Sequence, residues 1–317
     1  MVWLNPLPRP NQLRKSVMTV SDAVKRDAPQ ARPARTKVSW AWLGVLPFFI
    51  FTFLFLIYPS STIVIRSFQD SVTKAFTFEN INKLLHSQYL IQSYWISIKL
   101  SLITALGGGF FGFLLAYAAI RGGLPKSMYA ALMTFSGVAS NFAGVPLAFA
   151  FIALLSPTGL LIGWMRALGY NPYFHGFTLY TFTGLAIVYM YFQFPLMVLV
   201  IAPAIEGMRR EWLEASENLG ASSFQYWRYV ALPILGPALL GTMILLFGNA
   251  FGAYATAQAL TGGQINLVTI VIGSELRGDV LGNAGVGYAL SLGMVVIMAL
   301  AIVGYTALQR RTERWLR

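Results

Sequence analysis

Few residues in this chain of 317 have side chains suited to chemistry, and their spacing mostly shows which chemistry is missing. His86 and His175 stand apart, with no HExxH pair and no serine and carboxylate set out around either as a catalytic relay needs. Cysteine is absent, which removes thiolate nucleophiles, disulfides and cysteine-held metals. No GxxxxGK[ST] run occurs, so the chain has no P-loop of its own for ATP. No residue is assigned as catalytic or as a metal ligand, and no cofactor is expected on this chain. The exception to this bland pattern is a charged segment, EGMRREWLEASENLG, from Glu206 to Gly220. Met208, Trp212, Ala215 and Leu219 recur there near helical spacing among Arg209, Arg210, Glu211, Glu214 and Glu217. Gly220 has the placing of a helix-ending glycine, and Ser222 with Gln225 has capping-box spacing. The expected form is a helix, a glycine corner and a second short helix through Trp227 and Tyr229, before Pro233 opens the next apolar run.

That segment is set in a chain built for lipid. Hydrophobic residues make up 56% and charged residues 11%, against about 25% charged in soluble proteins, and the mean hydropathy is +0.62. Six apolar runs, at about 40–65, 94–120, 130–155, 181–204, 235–260 and 286–308, each reach the roughly 20 residues needed to cross a hydrocarbon core. The fold class expected is an all-α integral membrane protein with six transmembrane helices. Residues 1–38 read as a polar, basic tail, disordered or with a short amphipathic helix on Leu13, Val17, Val20 and Val24, and residues 39–317 as the six-span domain.

The net charge of +12 is in such a chain a topology signal. With the tail inside, 17 of the 23 Lys and Arg fall on the cytoplasmic side, so both termini and the loop at 205–233 are expected there. The basic residues form no stripe interleaved with aromatics, and nucleic acid is not an expected partner. None of the 11 Asp and Glu lies in an apolar core, which weighs against a self-sufficient secondary transporter coupled to protons or sodium. The lack of a catalytic grouping weighs equally against a membrane enzyme. The polar groups inside spans are neutral: Asn141, Tyr191, Gln193, Asn249, Tyr254 and Gln258. They either line a hydrophilic path or bond between helices, and both readings stay open. Pro146 and Pro195 are expected to kink spans three and four. Gly107, Gly108, Gly109 and Gly112 are expected to bring span two close to a neighbour, and the run Leu267–Ile272 to form a short half-buried helix at the outer face.

The run from Glu214 to Pro233 closely resembles the EAA signature of permease subunits of binding-protein-dependent type I ABC importers. That signature reads EAA, three residues, G, nine residues, I, one residue, LP. Glu214, Ala215, Gly220, Leu232 and Pro233 match it, with Ser216 for the second alanine and Val230 for the isoleucine. The resemblance implies a six-span permease whose cytoplasmic loop docks on a separate ATPase subunit, with Glu214 as the charged contact, Ala215 and Ser216 allowing close approach and Gly220 setting the corner. It implies two ATPase subunits that carry ATP and Mg, a second permease subunit that is a paralogue, an extracytoplasmic solute-binding protein, and a place in the bacterial inner membrane. This chain would supply half of the path and hydrolyse nothing itself. In substrate the sequence looks closest to polyamine-type members, through NLGAS and FGAYATAQALTGG. Ferric iron, thiamine, aminophosphonate and sulfate permeases are the alternatives in the same branch.

Overall fold

A segment surrounded by hydrocarbon must satisfy its backbone N–H and C=O groups internally, so apolar runs of this length have to be helical or closed into a barrel. The structure, a computed structural model, describes residues 41–277 and 282–313. The tail expected at 1–38, its amphipathic segment, and the terminal Arg314 and Arg317 lie outside them. The described residues are helical and hold no strand, only an isolated antiparallel bridge between Gln69 and Phe76.

They fall into two units. The first ends at Ile57 and comprises α1 (Ala41–Thr52) and a π turn at Phe53–Ile57, with Phe48, Phe49, Phe51 and Phe55 exposed as groups suited to acyl chains. The second begins at Tyr58. Its first helices are α2 (Tyr58–Ser67), α3 (Glu79–His86), α4 (Gln88–Arg121) and α5 (Lys126–Asn141). Next come α6 (Val145–Leu155), α7 (Leu160–Ala167), α8 (Phe182–Glu206) and α9 (Arg210–Asn218). The last are α10 (Ser223–Tyr226), α11 (Leu232–Phe251), α12 (Ala255–Thr261), α13 (Val268–Arg277) and α14 (Ala284–Glu313).

The described residues contain six stretches long and apolar enough to cross a membrane: Gly44–Ser67, Gln88–Arg121, Val145–Ala167, Phe182–Glu206, Ser223–Phe251 and Ala284–Arg310. Four of them follow the runs expected from sequence. The other two depart from it. The run expected at 130–155 is interrupted at Phe142–Gly144, where Gly144 takes φ +76, a left-handed value that glycine adopts without the clash a Cβ would bring. Pro146 therefore does not kink a continuous helix. It sits in the first turn of α6, where its missing N–H costs nothing. The run expected at 235–260 ends at Phe251 and resumes as α12, so Tyr254 and Gln258 follow the fifth span instead of lying in it. Pro195 stays inside the unbroken α8.

The long helices α4 and α8 form the centre, with α5 and α11 packed on α8 and α14 packed on α2 and α13. Their approach depends on the glycines. A Cβ added at Gly108 would lie 2.6 Å from Cβ of Gln193, and one at Gly112 would lie 2.6 Å from Cβ of Met197. Gly109 faces α11 instead, where its Cβ would meet Met243. Along α4, Ser93, Ser97, Ser101 and Thr104 are buried and return their hydroxyl protons to carbonyls of their own helix. Ser97 also accepts the N–H of Val268 at 2.8 Å, which fixes α13 against the bundle. The apolar run expected as a short helix is this α13, with Val268, Ile270 and Val271 buried.

Candidate functional site

The charged loop is an elbow fixed at both ends. The last carbonyls at a helix C-terminus lack intrahelical partners, and past the end of α8 Arg121 serves two of the chain's carbonyls, its guanidinium donating to Ile205, at 3.2 Å, and to Met208 just beyond the helix. Tyr129 donates its hydroxyl to Glu206 nearby. In the sequence Arg121 carries only a topology charge, because nothing local marks a side chain that bonds to a helix end 84 residues away. Helix α9 then lies with Met208 buried and Trp212 and Leu213 packed on the cluster of Tyr226, Ala231 and Leu235.

The four apolar residues at helical spacing do not share one face, and Ser216, expected with Ala215 to allow close approach to a partner, is turned inward. Ala215 and Leu219 point outward, Leu219 at 88% exposure, while Leu213 and Ser216 take the inner positions. The hydroxyl of Ser216 is used by its own helix, donating to the carbonyl of Leu213 at 2.7 Å. At the corner Gly220 has φ +76. Its N–H reaches the carbonyl of Glu217, and the N–H of Ala221 reaches that of Ser216, both at 2.9 Å, which is the paired closure of a Schellman turn. Ser222 and Gln225 then form both bonds of a capping box.

The second arm is not the separate short helix expected from Pro233. Helical backbone runs unbroken from Ser223 to Phe251 through a π turn at Trp227–Ala231, where the N–H of Leu232 bonds to the carbonyl of Trp227. A proline has no N–H for the carbonyl four residues back and its ring crowds that carbonyl. The wider π turn just before Pro233 absorbs the conflict, and the second arm of the elbow becomes the first turns of the helix that continues as α11. Tyr117 braces it, its ring 4.9 Å from that of Trp227.

Outward from the elbow face Glu214, Ala215, Leu219, Phe224 and Tyr229. Glu214 pairs with Arg210 at 3.2 Å, both well exposed. Such an i,i+4 pair contributes only about 0.3–0.5 kcal/mol, so exchanging Arg210 for another cation costs little. Val230 and Pro233 are half-buried and Leu232 is exposed.

A second feature lies at the two helix breaks. The N–H of Gly144 donates to Oγ1 of Thr256 at 2.7 Å, tying the start of α6 to α12. Tyr189 donates to the carbonyl of Ala253 at 2.8 Å and so satisfies the gap between α11 and α12. Beside the junction are two open cavities, of about 390 and 680 Å³, that share Ser140, Gly248 and Asn249. Tyr254 lines the smaller and Asn141 the larger. The structure thus gathers Asn141, Asn249 and Tyr254 around one hollow.

It places the other three polar residues elsewhere. Gln193 is wholly buried and donates to the carbonyl of Leu246 at 2.7 Å, a bond between α8 and α11 within the chain. Tyr191 is half-buried, its ring 5.6 Å from that of Phe151. Gln258 is half-buried on α12, away from both cavity walls. The breaks that create the hollow had only weak signals in the sequence, Gly144 two residues before Pro146 and Gly252 before Ala253.

Six apolar stretches among the described residues, an elbow continuous with the fifth and a hollow at two broken helices are the features of a multi-pass helical membrane protein. Residues 108–314 match the family described as binding-protein-dependent transport system inner membrane component, and the chain belongs to that family. It is 28% identical over 227 residues to the probable sulfate transport system permease protein cysT of Nephroselmis olivacea, covering 71% of this chain and 73% of that one. Over 116 residues it is 36% identical to the spermidine/putrescine transport system permease protein PotB of Haemophilus influenzae, covering 37% and 40%. In structure it is similar, with a TM-score of 0.67 and 18% identity, to a chain of a bacterial ABC transporter involved in the import of the acidic polysaccharide alginate, covering 92% of this chain and 99% of that one. The chain is therefore an ABC importer permease of the inner membrane, and is not itself an enzyme.

Proposed function

We propose that this chain forms half of the translocation path of an ATP-driven importer and is moved by ATPase subunits bound at the elbow of residues 205–233. The observation that carries this reading is the continuity of Ser223–Phe251, in which the arm after Gly220 and the fifth span are one helix. A displacement applied to such an arm passes into the bundle instead of being absorbed by a loop. Glu214 and Ala215 would sit at the ATPase surface, with Gly220 setting the corner and Val230, Leu232 and Pro233 joining it to the span. Ser216, expected beside them, is instead turned inward and buried, where its small size lets α9 lie close on the bundle and its hydroxyl is bonded within the helix.

The partners proposed with this reading are two ATPase subunits holding ATP and Mg, a second permease, identical or a paralogue, and an extracytoplasmic solute-binding protein. Both termini then lie on the cytoplasmic side, in line with the distribution of Lys and Arg. Asn141, Asn249 and Tyr254 are the residues of this chain proposed to meet the solute. The polyamine class expected from sequence and the sulfate class are each named among the relatives.

The test is affinity purification of the tagged chain from membranes, followed by reconstitution. ATPase and second permease are expected to co-purify, and the vesicles to take up solute only with ATP inside and binding protein outside. A chain that purifies without an ATPase, or transports without ATP, overturns the reading.

A further inference from the structure

The cavity at the helix breaks carries information about the sign of charge it accepts. No Asp or Glu occurs between Glu79 and Glu206 or between Glu217 and Glu275, so both cavity walls are free of carboxylates. A polycation moved into such a hollow would give up its hydration with no anion in return.

One cation, in contrast, is directed at the wall. Arg277, at the end of α13, donates Nη2 to the hydroxyl of Tyr254, and its guanidinium lies 5.7 Å from the centre of that ring. Nε donates to the carbonyl of Gly273 at 2.9 Å, so the side chain is held from two sides. Tyr254 is itself part of the smaller cavity's lining. The carboxylates of the same outer region have other partners. Asp70 accepts from its own turn, Glu79 pairs with Lys83 at 2.7 Å, and Glu275 accepts the N–H of Asn283 at 2.7 Å. Asp279 lies outside the described residues.

We propose that the Arg277–Tyr254 pair makes this cavity selective for anions, so that the chain carries a small oxyanion instead of a polycation. The pair acts as a specificity determinant. The guanidinium puts a fixed positive charge behind the cavity wall. The phenol, with its lone pair engaged by Arg277, has its proton free to donate to an oxyanion. This rests on the cavity being the translocation path, as proposed above.

The test uses the full complex in proteoliposomes, with sulfate, 2-aminoethylphosphonate and spermidine as probes, each supplied with a binding protein that holds it. The wild type is expected to import one of the two oxyanions. Arg277→Gln is expected to raise KM for it, since removing a charge that favours an anion weakens its binding, with Arg277→Lys recovering part and Tyr254→Phe shifting KM the same way by less. Co-purification of all subunits checks that each variant assembles. Should Arg277→Gln not assemble, Arg277→Lys and Tyr254→Phe decide the matter. Import of spermidine alone, of neither oxyanion, or of an oxyanion with KM unchanged in the variants overturns the anion assignment while the transport reading stands. Absence of an ATPase partner overturns the transport reading, and this inference with it.

Discussion

Gly144 and Thr256, 112 residues apart, are joined by a 2.7 Å hydrogen bond between the N–H of one and the hydroxyl of the other. The bond links the break in the third apolar run to the break in the fifth, at the wall of the smaller cavity. Thr256 is buried, so replacing it with valine keeps the shape and leaves a donor without its acceptor. Such a loss costs about 1–3 kcal/mol. Thr256→Val is expected to lower the midpoint of thermal unfolding of the purified complex, and Thr256→Ser to restore most of it. Equal midpoints for wild type and Thr256→Val would remove the bond from any account of how the breaks are held.

At the elbow, Gly220 has open space around a Cβ position but a φ of +76. Gly220→Ala therefore tests conformation and not crowding. The left-handed region costs an L-residue about 1–2 kcal/mol, enough to loosen the Schellman closure without unfolding the bundle. The expected outcome is weaker ATPase binding or a lower ratio of transport to ATP hydrolysed, with Gly220→Asn milder because asparagine tolerates this region better. Gly220→Pro should be worst, since it also removes the N–H bonded to Glu217. Full coupling in all three variants would detach Gly220 from the coupling role.

How much of this was legible in the sequence follows the range of the interactions. The Gly220 corner and the Ser222–Gln225 box were readable because each partner lies within five residues. The close approach of α4 and α8 was readable because only glycine permits it and Gly108 and Gly112 repeat at one helical face. The inward turn of Ser216 is not legible, since Leu213 and Ser216 are selected by the position of Tyr226 and Leu235, which the helical period alone does not specify. The breaks at Gly144 and Gly252 were hidden inside apolar runs, because hydropathy measures transfer to lipid and is blind to a backbone that turns. Gln193 and Asn249 look alike in sequence, as amides in apolar surroundings. Only packing separates the first, bonded to Leu246, from the second, exposed at the cavity.

The turn after α2 offers a pH test. Asp70 accepts the N–H of Thr73 at 2.7 Å, its hydroxyl at 2.8 Å and the N–H of Val72 at 3.1 Å. These donors, the N–H of Thr73 first among them, favour the carboxylate and hold its pKa below the ordinary value. A depressed folded pKa means the turn's contribution is present above the unfolded value near 3.9 and is lost as pH falls through the lower folded one. Amide exchange at Val72 and Thr73, corrected for intrinsic rate, should stay slow down to pH 4 and rise below it. Asp70→Ala should give fast exchange at every pH. Protection that does not change between pH 5 and pH 2 would rule out the carboxylate as the holder of this turn.

The α4–α8 contact separates crowding from helix propensity. A Cβ at Gly108 or Gly112 would come within 2.6 Å of α8, against atoms next to the backbone that cannot swing away. Each alanine there improves intrinsic helix propensity by about 0.8–1 kcal/mol, yet overpacking of a close contact costs about 1–3 kcal/mol, so destabilisation is expected to win. Gly137, in α5, has nothing within 4 Å of a Cβ and serves as the control in which propensity acts alone. Gly108→Ala and Gly112→Ala should lower the unfolding midpoint of the complex, and the pair together should lower it by more than either. Gly137→Ala should leave it level or slightly raised. If all three substitutions behaved alike, contact distance would not be what limits α4, and the glycines would need another explanation than the approach of α8.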